Sequence, residues 1–215
     1  MSKVKVSVLM AVFNTPLKLV KRALDSVIKQ DFTDFELLVL DDGSSVLLSQ
    51  ALIQYCVHHE EKISYIRSRN EGQSSAINRA VYFAKGEYIT IIDADDEYKP
   101  NHLSSCLQEM KHADLISCLT ETVVSSNEDY YVADKHDLHK NIHVDDCILF
   151  ATLFGKKEVF KSIRFKNQYS ADSSFYEQAA KKFTVKKSQK RTYIYYRNIS
   201  SSITALHKKS RVVQN

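Results

Sequence analysis

Apolar positions in the first 120 residues change period repeatedly. In VKVSVLM (4–10) they alternate, so Val4, Val6, Val8 and Met10 share one face of a strand. After Pro16 the spacing turns helical, with Leu17, Val20, Leu24, Val27 and Ile28 along one stripe; proline suits the first turn of a helix. FELLVL (35–40) is an almost continuous apolar strand. A helix follows with Leu48, Ala51, Leu52 and Tyr55 on one face, then a short strand at 63–66, then a helix carrying Ala76, Ile77, Ala80, Val81 and Ala84. YITII (88–92), a helix after Pro100 with Leu103, Leu107 and Met110, and the strand DLISCL (114–119) complete the series. Alternating elements with nearly all-apolar strands predict an α/β fold, a mostly parallel sheet covered by helices on both faces.

Sheets of this kind bind ligands beyond the carboxyl ends of their strands. Here those ends read AVFN (11–14), DDGSS (41–45) and DADDEY (93–98), so the unusual polar residues gather at one edge. Asp93, Asp95 and Asp96 are like charges that repel unless something positive joins them. Carboxylates are hard ligands suited to Mg2+ or Mn2+, which are usually held by one or two of them while a phosphate supplies further oxygens. A D-x-D at a strand end therefore predicts a metal-bound phosphate or diphosphate. Capping the helix after Pro100 would need only one acid. A carboxylate at Asp42 can accept an N–H from a nucleobase, and Phe13 offers a ring face for the base. DDGS alone also reads as a turn; in phase with AVFN and DADD it reads as part of a site.

Beyond residue 120 the pattern weakens. NEDYYVADKHDLHKNIHVDD (127–146) is polar and His-rich, and its length predicts a functional or mobile loop. His139 and His143 read as exposed loop residues rather than ligands. KKEVFKSI (156–163) and DSSFYEQAAKKF (172–183) look helical, and TYIYYR (192–197) looks like a strand.

Charge divides the chain unevenly. Residues 1–155 hold 15 Lys and Arg against 23 Asp and Glu, while 156–215 hold 15 against 3. The basic C-terminal region predicts either a solvated surface or contact with phosphate or an anionic membrane face. No G-x-G-x-x-G or Walker glycine loop is present, which removes support for dinucleotide and P-loop readings. Cys56, Cys106, Cys118 and Cys147 form no C-x-x-C pair and read as reduced thiols of a cytoplasmic protein, since MSKVKVSVLM looks like a strand rather than a signal peptide. No apolar run is long enough to cross a membrane.

The segments VSVLMAVFN, SVIKQDFTDFELLVLDDGSS and RNEGQSSAINRAVYFAKGEYITIIDADD together resemble the family 2 glycosyltransferases of the GT-A fold, in order and spacing, over roughly the first hundred residues. The resemblance implies one GT-A domain over 1–215, with a nucleotide-sugar-binding half (1–120) and an acceptor-binding half (121–215). It implies an inverting, metal-dependent transfer from a UDP-sugar to a hydroxyl of a glycan or lipid-linked acceptor, in surface polysaccharide biosynthesis, with Mn2+ or Mg2+ as cofactor and no nucleic-acid partner. It places Ala11, Phe13, Asn14, Asp42, Asn70, Gly72, Asn78, Asp93 and Ala94 on the donor nucleotide. Asp93 and Asp95 fall on the metal, Asp96 on the donor sugar and Arg197 near a phosphate. Asp172 is the expected general base, at a position that also suits a helix N-cap. There are two departures: Ile77 stands where many members carry Arg, and Ala171 where a Glu usually precedes the base. The location implied is the cytoplasm, peripheral at the inner face of the membrane. Rival readings are a non-catalytic nucleotide-sugar-binding partner subunit, a phosphatase of the haloacid dehalogenase type, disfavoured because the first strand ends without an acid, and a nucleotidyltransferase, disfavoured because residues 11–16 lack a glycine-rich loop.

Overall fold

The computed structural model describes residues 4–135, 137 and 139–198. Ten strands and six α-helices alternate through it. They are β1 (Val6–Val12), α1 (Leu17–Ile28), β2 (Phe35–Asp41), α2 (Val46–Val57), β3 (Ile63–Arg67), α3 (Gln73–Phe83), β4 (Tyr88–Ile91), β5 (Glu97–Tyr98), α4 (His102–Glu109) and β6 (Leu115–Val123). Then come β7 (Tyr131–Ala133), β8 (Asn141–His143), β9 (Leu153–Lys156), α5 (Lys157–Ser162), α6 (Ala171–Ala180) and β10 (Val185–Tyr196).

Eight strands form one sheet in the order β3-β2-β1-β4-β9-β6-β10-β5, with β7 and β8 as a separate two-stranded hairpin. β1 lies between β2 and β4 and is parallel to both. The sheet is mixed: β9 runs antiparallel between β4 and β6, and β5 antiparallel beside β10. Strands from both halves of the chain therefore share one sheet.

The alternation along β1 sorts its side chains onto two cores. Val6, Val8, Met10 and Val12 face a cluster with Val20, Ala23 and Leu24 of α1, Leu52 of α2 and Leu103 of α4. Leu9 faces the other, with Ile77 and Ala80 of α3, Phe160 of α5 and Phe175 of α6. Burial on both faces explains why β2 reads as an unbroken apolar run. No described helix is long and apolar enough to cross a membrane.

The stretch expected to be a long loop contains a 3-10 turn (Asn127–Tyr130) and the β7–β8 hairpin. His143 stacks on Tyr130 with centroids 5.5 Å apart. The basic second half is partly neutralised by acids of the first, through Lys156–Asp114 at 2.7 Å, Lys186–Glu109 at 2.6 Å and Arg191–Asp145 at 2.7 Å. The remainder of the basic region, 199–215, lies outside the described residues.

Candidate active site

The parallel register of β1 with β2 and β4 carries three strand ends to one edge. Beyond β1, Phe13 is 52% exposed. Asn14 adopts φ 50°, a left-handed conformation that asparagine tolerates better than most residues. Its backbone N–H donates to Ser44 Oγ at 3.0 Å, and its Oδ1 accepts the Ser45 N–H at 2.9 Å. The loops after β1 and β2 are thereby tied together. Gly43, at φ 82°, lies so close to the next loop that a Cβ would meet the Asn70 nitrogen at 2.8 Å.

The two aspartates ending β2 have different duties. Asp41 is fully buried. It accepts the Tyr65 hydroxyl at 2.5 Å, the Ser44 N–H at 2.8 Å and the Ser49 hydroxyl. Burial alone would raise its pKa, but these hydrogen bonds outweigh it and the value is lowered. Asp42, 2% exposed, accepts the N–H groups of Gly72 (2.8 Å) and Glu71 (3.1 Å). It thus fixes the loop that opens α3. A carboxylate offers about four acceptor sites, so two N–H groups leave capacity for a base.

The α3 segment meets the expected donor set unevenly. Gly72 stands at the N-cap with φ 86°. Asn70 is exposed. Asn78 is engaged at both ends by the backbone of Phe165, donating to its carbonyl at 2.8 Å and accepting its N–H at 3.0 Å. It joins α3 to the segment before α6. Ile77 is fully buried in the core, so this position presents nothing to a diphosphate.

Past β4 the carboxylates divide again. Asp93 accepts the Gln73 amide at 2.7 Å. Its pKa rises to about 7, chiefly from burial, then from Asp95 and Asp172, against the opposing Gln73 bond. Asp95 is also raised by burial, opposed by its own amide and by the Arg22 charge. Among the described residues no other side chain hydrogen-bonds its carboxylate. Asp96 is 1% exposed, and both oxygens are held by β10: Oδ2 accepts the Tyr193 hydroxyl at 2.7 Å and Oδ1 the Tyr196 N–H at 2.8 Å. Its carboxylate is thus engaged within the fold. Ala94 is 6% exposed, leaving mainly its backbone for a ligand, and Ala11 is half-buried.

Two partners of this loop had no signal in the sequence. Arg22 of α1 donates to the Asp95 carbonyl, lies 3.0 Å from Glu97 and stacks 3.7 Å over the Tyr196 ring. Gln73, the first residue of α3, reaches Asp93 across the cleft. Both depend on tertiary placement alone.

Among the described residues no three His, Cys, Asp or Glu side chains converge into a cage. Asp93 and Asp95, both half-buried just beyond the end of β4, instead offer two carboxylates within electrostatic range of each other. That suits an ion held by one or two carboxylates and completed by phosphate oxygens.

Opposite, Asp172 sits in the first turn of α6. The N-cap is Ser170, at φ 55°, so the cap reading of Asp172 is corrected by two residues. Asp172 accepts the N–H of Ser173 at 2.8 Å and of Phe150 at 3.2 Å. Burial nevertheless lifts its pKa to about 6, against these bonds and the charge of Lys135. Its charge adds to the raised pKa of Asp93, so the two carboxyls lie within electrostatic range of each other. Arg197 is 8% exposed. Its Nη2 donates to the Tyr131 carbonyl at 3.3 Å and its Nη1 to the Tyr195 hydroxyl at 3.4 Å, while Nε has no hydrogen-bond partner among the described residues.

A sequence profile described as Glycosyl transferase family 2 matches residues 7–179. The chain belongs to glycosyl transferase family 2. This family 2 chain is 33% identical over 113 residues to an uncharacterised glycosyltransferase of Methanocaldococcus jannaschii, a match spanning 52% of this chain and 39% of the relative. It is 39% identical over 101 residues to WcaA of Escherichia coli, named for colanic acid biosynthesis (46% and 35%). It is 29% identical over 139 residues to the succinoglycan biosynthesis protein ExoW of Rhizobium meliloti (64% and 43%). The matches thus span well under half the length of these relatives. Among solved structures, S. aureus TarS with UDP-GlcNAc superposes with a TM-score of 0.71 at 20% identity, over 92% of this chain and 61% of that one. The mannosyltransferase PcManGT of Pyrobaculum calidifontis, with GDP-Man and Mn2+, gives 0.72 at 16% identity, over 98% and 64%. At these identities the likeness establishes the GT-A fold of this family 2 chain.

Proposed function

We propose that this chain is an inverting glycosyltransferase core that moves a sugar from a UDP-sugar to a hydroxyl of a glycan or lipid-linked acceptor in polysaccharide biosynthesis. The observation that carries the reading is that acids from both halves of the chain lie within electrostatic range of one another: Asp93 and Asp95 stand just beyond the end of β4, and Asp172, its pKa raised to about 6, stands in the first turn of α6. Membership of family 2 supplies the reaction class.

In this reading Phe13 offers its exposed ring to the base, and Asp42 both shapes the 70–72 loop and accepts from the base edge. Asp93 and Asp95 would hold Mn2+ or Mg2+; when bound, such an ion offsets the charge that develops on the leaving diphosphate. Asp172 takes the proton from the acceptor hydroxyl as its oxygen attacks the anomeric carbon. A carboxyl with a pKa near 6 is ionised at neutral pH yet remains a stronger base than an exposed aspartate. Arg197, buried and with no Nε partner among the described residues, is a second cation for a phosphate in this reading. The alternative of a non-catalytic nucleotide-sugar-binding subunit keeps everything except the role of Asp172.

Calorimetric titration of UDP with and without Mn2+, followed by a screen of UDP-sugars for slow donor hydrolysis, tests the proposal. Metal-dependent UDP binding together with hydrolysis of one donor supports it. Absence of UDP binding with metal present defeats it. Binding with transfer to no acceptor favours the non-catalytic subunit. GDP-mannose belongs in the same screen, because PcManGT carries that donor.

A further inference from the structure

We propose that Tyr193 is a positioning residue for the loop that bears Asp93 and Asp95, holding it in its ligating shape from the far end of the chain. The inference rests on the reading of that loop given above.

The Tyr193 hydroxyl works in both directions. It accepts the Asp93 backbone N–H at 3.2 Å and donates to Asp96 Oδ2 at 2.7 Å. One oxygen thus ties the two ends of the D-A-D-D turn, a turn also closed by the Asp96 N–H donating to the Asp93 carbonyl at 3.2 Å. A third tie from the same strand comes from the Tyr196 N–H to Asp96 Oδ1.

The hydroxyl cannot easily swing away. Tyr193 is fully buried. Its ring meets Tyr98 edge-on at 5.6 Å and His102 at 6.3 Å, and His102 is itself hydrogen-bonded to Thr192 at 2.8 Å. The register of β10 against β6 shifts between Ser188 and Tyr193. Such an irregularity re-aims the side chains that follow it.

Three neighbouring carboxylates tend to spread apart. Drawing Asp96 inward onto Tyr193 and Tyr196 removes one of them from the ligand side. It also fixes the backbone from which Asp93 and Asp95 project. Outer hydrogen-bond partners of this kind set ligand orientation, and their loss typically costs about 10–100-fold in metal affinity or activity.

The test is Tyr193→Phe, which keeps the ring and deletes the oxygen. Mn2+ is titrated by calorimetry into the chain saturated with UDP, alongside the thermal midpoint and the kcat and KM of donor hydrolysis. The expected result is Mn2+ binding weakened about 10-fold or more and a lower kcat, with donor KM moving by less than about 3-fold. Tyr196→Phe, which retains the backbone N–H bond to Asp96, should shift Mn2+ binding by only about 2–3-fold. If Tyr193→Phe fails to fold, the Asp96 pair replaces it. Asp96→Asn keeps an acceptor for Tyr196 and a polar partner for Tyr193, so it should bind Mn2+ better than Asp96→Ala by about 10-fold. A lowered thermal midpoint with unchanged Mn2+ binding in Tyr193→Phe, or equal Mn2+ binding by the two Asp96 variants, overturns the proposal. A wild-type chain without metal-dependent UDP binding overturns the underlying functional reading as well.

Discussion

Asp41 and Asp93 stand at the ends of two strands that flank β1 on opposite sides, yet their carboxyl groups behave in opposite ways. Asp41 is enclosed by three donors, and hydrogen bonding overcomes burial to lower its pKa. Asp93 has a single side-chain donor and two carboxylates within electrostatic reach, and its pKa climbs to about 7. Asp172 belongs with Asp93: its two backbone donors do not outweigh burial. The balance between desolvation and hydrogen bonding sets the sign: donors prevail at Asp41, while desolvation prevails at Asp93 and Asp172, with neighbouring carboxylates adding to it at Asp93. A carboxylate whose donors outweigh its desolvation stabilises the fold, whereas one whose desolvation prevails is a candidate for binding a ligand or a proton.

The largest expected effect comes from breaking the under-served side. Asp172→Asn should lower kcat/KM by about 10²–10⁴-fold. In the wild type, kcat/KM should climb with pH through about 6, where Asp172 ionises, and then level off; the variant's residual activity should lack that limb. A rate profile from pH 5 to 8 decides the matter. Asp95→Ala comes next, with metal-dependent UDP binding expected to fall by about 10²-fold. Stripping divalent ions from the wild type with a chelator should reproduce the loss, and titration calorimetry reads both.

The same Asp→Asn change should act oppositely on stability at the two kinds of site. At Asp41 an amide supplies one acceptor where three donors converge, so denaturant unfolding should show a loss of about 3 kcal/mol. The lowered Asp41 pKa means that its contribution is present above the ordinary aspartate range and disappears as pH falls through the folded value. At Asp172 the raised pKa opposes folding as pH rises from about 4 toward 6. Asp172→Asn should therefore be at least as stable as the wild type above pH 6. Equal destabilisation by both substitutions would remove the distinction. The smallest effect is expected at Phe13, where alanine should weaken UDP binding by about 5–10-fold, the scale of one base–aromatic stack.

The first half of the chain was legible because its signal is local. Strand and helix periods, Pro16 and Pro100 place β1 to β4 and their helices within a few residues of where they stand. β5 and β9 escaped because strands of two and four residues carry little period, and each is defined by a partner distant in sequence. The three strand ends were legible as a site for the same local reason. Which donors reach each acid was not, since DDGS and DADD give no side-chain direction. Only the packed fold brings Tyr65 and Ser49 to Asp41, the 71–72 backbone to Asp42 and β10 to Asp96. Arg22 and Gln73 read as ordinary helix residues until the helices are packed.

The bond between Tyr193 and Asp96 spans 97 residues of sequence, and this bears on the timing of synthesis. A nascent chain that has completed β4 already carries every acidic group of the donor loop, but not the strand that shapes it. Contacts this far apart form late, because the intervening chain must be ordered first. On the proposed function, competence to handle an activated sugar therefore arrives only with β10, the strand that completes the shape of the 93–96 turn.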